Sequence, residues 1–123
     1  MIADAKMRLA PPNGLLYLMD AEHFDPPEVD GFARLWRSES CIIIGCRADV
    51  DGPTEICVNA PGAPPPDLVM VGSFDQAVPS RRLVLTIVPD TVIHQMELER
   101  PAAHVEVWTD GEIASPVVWL KIA

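Results

Sequence analysis

Apolar residues in this 123-residue chain come in short runs separated by proline, glycine and acidic residues. Two runs near the middle organise the rest: residues 68–74 (LVMVGSF) and 83–88 (LVLTIV), with Asp75, Pro79, Ser80, Arg81 and Arg82 between them. β-Branched side chains are stiff at χ1 and suit a pleated backbone, so the pair reads as two strands with a connection. Runs this short and this apolar exclude water from both faces, which predicts interior strands rather than sheet edges.

Residues 1–14 end in Pro11, Pro12, Asn13 and Gly14 and predict a flexible N-terminal tail closed by a turn, with 15–123 forming one β-sandwich domain. LLYLM at 15–19 predicts a strand, and 20–31 a long acidic connection in which Pro26 and Pro27 forbid a helix. Residues 32–36 (FARLW) suit a strand or a helical turn. CIIIGCR at 41–47 is the strongest strand by composition, and the turn at Asp49, Asp51, Gly52 and Pro53 returns the chain into 54–59 as its expected hairpin partner. Residues 59–67 (NAPGAPPPD) must run extended and predict a crossover between sheets. Strands follow at 91–96, at 103–108 and at 117–122. In the middle one, Ala103, Val105 and Val107 alternate with His104, Glu106 and Trp108, giving one dry face and one mostly wet face. Eight or nine short strands at regular spacing, with no amphipathic helix, predict an all-β, single-domain sandwich of jelly-roll-like form.

Charge narrows the partners. Eighteen acidic against nine basic residues leave a net charge of −9, which repels a phosphate backbone and predicts no direct nucleic-acid binding. The same field attracts a basic protein and speeds encounter with it. A hydrophobic content of 49 % excludes general disorder, and every apolar run falls short of the roughly 18 residues of a membrane span. Three cysteines, an odd number, and an N-terminus (MIADAKMRLAPP) without an apolar core of signal-peptide length point to a reduced, cytoplasmic protein.

Candidate chemistry is sparse. Asp20, Glu22, His23 and Asp25 lie close together on one connection, but their spacing matches no calcium loop, and Asp49, Asp51 and Gly52 lack the distal glutamate of one. Such loops are more often solvated surface than cation sites. Cys41 and Cys46 are five residues apart and face opposite ways in an unbroken strand, and with Cys57 they lack the spacing of a zinc site, which favours buried, unreactive thiols. Serine-nucleophile, phosphate-loop and kinase motifs are absent, so no catalytic residue, metal ligand or cofactor is assigned and an enzyme is disfavoured. Trp108 is the aromatic of most interest, because its parity puts it on the wet face with His104 and Glu106. The residues assigned to partner binding are Asp20, Glu22, Asp25, Asp49, Asp51, Glu106, Trp108 and Asp110.

FDQAVPSRRLVL at 74–85, ERPAAHVEVW at 99–108 and the terminal VVWLKI together resemble the C-terminal half of the bacterial competence-nuclease-inhibitor (competence protein J-like) family. The resemblance is one of pattern over roughly the last fifty residues. It implies a small cytoplasmic β-sandwich that binds and inhibits a DNA-degrading nuclease. The chain departs from the family at Pro101, Ala102 and Ala103, where a glycine usually follows the proline, and in a shortened loop at 110–116. These departures bear on the partner more than on the fold.

The expected function is a non-enzymatic acidic interaction module, inhibiting a basic partner such as a nuclease. One alternative is a metal-dependent or ligand-binding cupin-like protein in which His23, His94 and His104 converge. Another is a self-associating subunit that pairs its apolar strands 15–19 and 117–122 across a homo-oligomer interface.

Overall fold

In the computed structural model, which describes residues 4–31, 33–87 and 91–123, the alternation of apolar and polar side chains becomes the two faces of two packed sheets. The strands are β1 (Ala5–Leu9), β2 (Leu15–Asp20), β3 (Leu35–Arg37), β4 (Cys41–Gly45), β5 (Thr54–Val58), β6 (Val69–Ala77), β7 (Arg82–Ile87), β8 (Thr91–Glu97), β9 (Ala102–Thr109) and β10 (Val117–Ile122). One sheet has the order β1-β5-β10-β9-β6 and the other β3-β4-β2-β7-β8. Pairing is antiparallel throughout except between β5 and β10, which run parallel.

The core lies between the sheets. Ile56, Val58, Val105, Val107, Val118 and Leu120 from the first sheet meet Leu16, Leu18, Ile42, Ile44, Leu83 and Leu85 from the second, all out of contact with water. Fully burying one such side chain stabilises the fold by roughly 1.5–3 kcal/mol. The all-β sandwich expected from the hydrophobic pattern is the fold observed, with β9 alternating between half-buried and buried positions along its whole length.

Several local expectations are corrected. Residues 5–9 of the supposed flexible tail form β1, with Met7 and Leu9 packed on the core and Lys6 and Arg8 facing out. Residues 54–58 are not the hairpin partner of 41–45: β5 pairs with β1 and β10, while β4 pairs with β2 and β3 in the opposite sheet. The proline-rich stretch joins β5 to β6 within one sheet, crossing its outer face. Of the two central strands only β7 is interior. β6 is an edge strand, and Gln76 is its one fully buried residue. Its edge is covered by the segment around β3: Ala77 N–H donates to Glu39 O at 2.9 Å, and the Arg37 guanidinium stacks 4.4 Å from the Phe74 ring centroid. That cover protects an otherwise open row of ladder groups. Residues 32 and 88 of the expected strands lie outside the described residues, as do 89 and 90 between residue 88 and the next strand. Strands 15–19 and 117–122 are flanked on both sides by other strands, so neither is free to pair across a homo-oligomer interface.

The turn before β2 depends on a left-handed residue. Gly14 has φ +64, its carbonyl accepts a hydrogen bond from Cys46 N–H at 2.8 Å, and a Cβ there would stand 2.7 Å from Cys46 O. Gly14→Ala is expected to lower stability by at least about 1–2 kcal/mol, from the positive φ together with this backbone clash. The check is a reduced urea midpoint at unchanged slope.

Candidate protein-interaction face

The outer face of the first sheet carries three side-chain rows set by strand register. Cys57, Trp119, Trp108 and Met70 are successive cross-strand neighbours along β5, β10, β9 and β6. The next row is Lys121, Glu106 and Ser73, and the third is His104 and Asp75. The alternation that buries Val105 and Val107 turns His104, Glu106 and Trp108 outward, as their parity predicts.

Exposure grades along the apolar row. Trp119 is 4 % exposed, because the proline-rich crossover lays Ala60 and Leu68 over it and Cys57 packs beside it. Trp108 is half-buried, its ring edge-on to Trp119 with centroids 6.2 Å apart and planes at 84°. Its indole Nε1 donates to Glu106 Oε1 at 3.1 Å. Met70, beyond it, is 50 % exposed. An aromatic side chain is thus fixed in orientation, half-buried, with the Glu106 carboxylate bonded to its indole.

The eight residues assigned to partner binding do not form one cluster. Glu106 and Trp108 lie together on this face, and Asp110 is exposed just past the end of β9. Asp49 and Asp51 are exposed on a short 3-10 turn at the same end of the sandwich, where the two loops meet through Arg47 N–H donating to Ser115 O at 2.8 Å. Glu22 and Asp25 belong to the connection after β2, on the other sheet; Glu22 Oε2 is 3.5 Å from Arg82 Nη2. Asp20 is a correction. It is 0 % exposed, and its two oxygens accept hydrogen bonds from the amides of Glu22 (2.8 Å), His23 (2.9 Å) and Ser80 (2.8 Å) and from the Ser80 hydroxyl (2.9 Å). A carboxylate so enclosed anchors a turn and presents nothing to a partner.

His23 follows β2, His94 lies on β8 opposite Leu85, and His104 faces out from the other sheet, so the three histidines do not converge. No group of three or more histidine, cysteine or acidic side chains is arranged to hold a metal ion among the described residues. All three cysteines are free and buried. Burial pushes each thiol up, with help from the Asp25 carboxylate at Cys41, which reaches about 12, so each favours the protonated form at neutral pH.

One constellation escaped sequence reasoning. His104 Nδ1 is 2.9 Å from Asp75 Oδ1, and its Nε2 is 3.1 Å from Ser73 Oγ. Ser73 and Asp75 sit two apart on one strand, so their shared face was readable. Their meeting with His104 required the β6–β9 register, which shifts at a bulge between Met70 and Gly72.

No family model matches the chain, and no curated protein does either. Two solved structures share its fold over nearly the whole length. ComJ from Bacillus subtilis, described as an inhibitor of the DNA degrading activity of NucA, superposes with a TM-score of 0.67 at 10 % identity, covering 99 % of this chain and 97 % of its own. The product of crocagin biosynthetic gene J superposes with a TM-score of 0.59 at 11 % identity, covering 99 % and 96 %. At such identities the likeness is one of fold, and it extends the resemblance seen in the C-terminal half to the whole chain. No helix among the described residues is long and apolar enough to cross a membrane.

Proposed function

We propose that the chain is a non-enzymatic, cytoplasmic protein-binding module that engages a basic partner and inhibits it, a nuclease being the favoured class. The observation that carries this reading is Trp108, held half-exposed by Trp119 and Glu106, with Met70 beside it and Asp75 on the same sheet face. Binding energy at interfaces concentrates in oriented aromatic anchors, while surrounding charge sets encounter rate and partner choice. ComJ, which shares the fold, is an inhibitor of a DNA-degrading activity. The net charge of −9 complements the basic surface expected of a protein that binds nucleic acid.

Affinity capture from source-cell lysate at low and at high salt tests the reading. The expected result is a basic partner that is released at high salt, because surface charge attraction is screened within about 8–10 Å. Trp108→Ala is expected to weaken that complex by about 2 kcal/mol, near thirtyfold. Glu106→Lys is expected to slow association and flatten its salt dependence. A partner held equally well by both variants would move the interface to the sheet that carries Glu22 and Asp25. Recovery of no partner at low salt would end the reading.

A further inference from the structure

We propose that Ser73 is a base-activated nucleophile that captures an acyl group from an activated ester, through a relay formed with His104 and Asp75. The three side chains connect in the order such chemistry needs. With Nδ1–H donating to Asp75 Oδ1 at 2.9 Å, His104 presents an unprotonated Nε2 that accepts the Ser73 hydroxyl at 3.1 Å. The carboxylate holds the imidazole in the tautomer that takes a proton and stabilises the imidazolium that results. Strand geometry holds the group in place: Asp75 pairs directly with His104, and Ser73 lies one pair along on the same face, opposite Glu106.

In the step, Ser73 Oγ attacks the acyl carbon while its proton passes to His104 Nε2. Collapse of the adduct expels the alkoxide or phenolate leaving group, which takes that proton from the imidazolium or from water. The product is an ester on Ser73, and no oxidant or further reactant is needed. Ser73 and Asp75 are exposed on an open sheet face. Without enclosed donors for the oxyanion, a single capture is expected in place of rapid turnover. The neighbours restrict the donor. Glu106, across from Ser73, repels an anionic ester, and Met70 and Trp108 in the adjacent row offer apolar surface. The favoured class is a neutral or cationic activated ester with an aromatic or apolar group.

The full chain is incubated with p-nitrophenyl acetate, and acetylation is followed by p-nitrophenolate release and by peptide mass mapping. Ser73 is expected to become acetylated in a burst of one acetyl group per chain. His104→Ala should slow modification of Ser73 by about a hundredfold. Asp75→Asn should slow it by at least about tenfold. Acetylation of Lys6 and Lys121 provides the internal standard, since it should be the same in every variant. Far-ultraviolet circular dichroism confirms that these surface variants fold. The proposal is overturned if Ser73 stays unmodified, if it reacts no faster than other exposed serines, or if its rate is indifferent to His104→Ala.

Discussion

Trp119→Ala is expected to remove about 3–5 kcal/mol of folding stability, the range for deleting a large buried aromatic side chain. The residue is 4 % exposed and joins three parts of the molecule: Cys57 on β5, Leu68 and Ala60 of the proline-rich crossover, and Trp108 on β9. Its loss opens a cavity under a segment whose four prolines leave it few ladder hydrogen bonds of its own, so packing has to hold that segment down. Urea unfolding of the two proteins measures the loss. The same substitution should weaken partner capture as Trp108→Ala does, because Trp108 loses the surface that orients it. Trp119→Phe restores much of the contact and should recover part of both effects. A stability loss under about 1 kcal/mol would mean that the crossover is not packed on the sheet in solution.

The second large effect belongs to Asp20. Asp20→Ala leaves the amides of Glu22, His23 and Ser80 without their acceptor where the wild-type carboxylate is wholly enclosed. Hydrogen bonds to a charged group contribute about 1.5–3 kcal/mol each, and they are not additive, so a loss of about 3 kcal/mol or more is expected. Ser80→Ala removes one donor and should cost about 1 kcal/mol. Acidity gives an independent check. Burial pushes the Asp20 carboxyl up, but the bonds from the Ser80 amide, the Glu22 amide, the Ser80 hydroxyl and the His23 amide outweigh it and hold the group below its ordinary value. Stability from a carboxyl depressed in the folded state is fully present above the unfolded value of about 3.9 and is lost as pH falls through the lower folded value. The gap between wild type and Asp20→Asn should therefore be constant from neutral pH down to about 4 and close progressively below it. A gap that widened in acid would reverse the sign assigned to this group.

Asp20 also shows where reading the chain runs out. In the sequence it stands beside Glu22, His23 and Asp25, like one more acid on a wet loop. It is the last residue of β2, on the parity of Leu16 and Leu18, so the pleat points it inward. Burial alternates along LLYLMD, but the run is apolar at every position before Asp20, so its sidedness is legible only once the strand is placed in its sheet. β1 carries a clearer signal, since Ala5, Met7 and Leu9 alternate with Lys6 and Arg8, but the prolines that follow it read as the end of a tail. The triad of Ser73, Asp75 and His104 is different in kind. Half of it comes from the spacing within β6, and the other half from pairing with a strand about thirty residues later in the chain.

The sequence by itself determined the strand-rich composition, most strand positions, the buried character of β4 and the outward face of His104, Glu106 and Trp108. Each of these rests on spacing within a few residues, and the pleat converts such spacing directly into sidedness. Only the tertiary structure decided that β4 and β5 belong to different sheets, that β5 and β10 run parallel, that β6 lies at an edge and that the proline-rich crossover covers Trp119. An apolar strand can pair with any other apolar strand in either direction without altering its own alternation. The choice of partner is therefore settled by how all the strands together close one core, and with it the set of side chains that meet on the outer face.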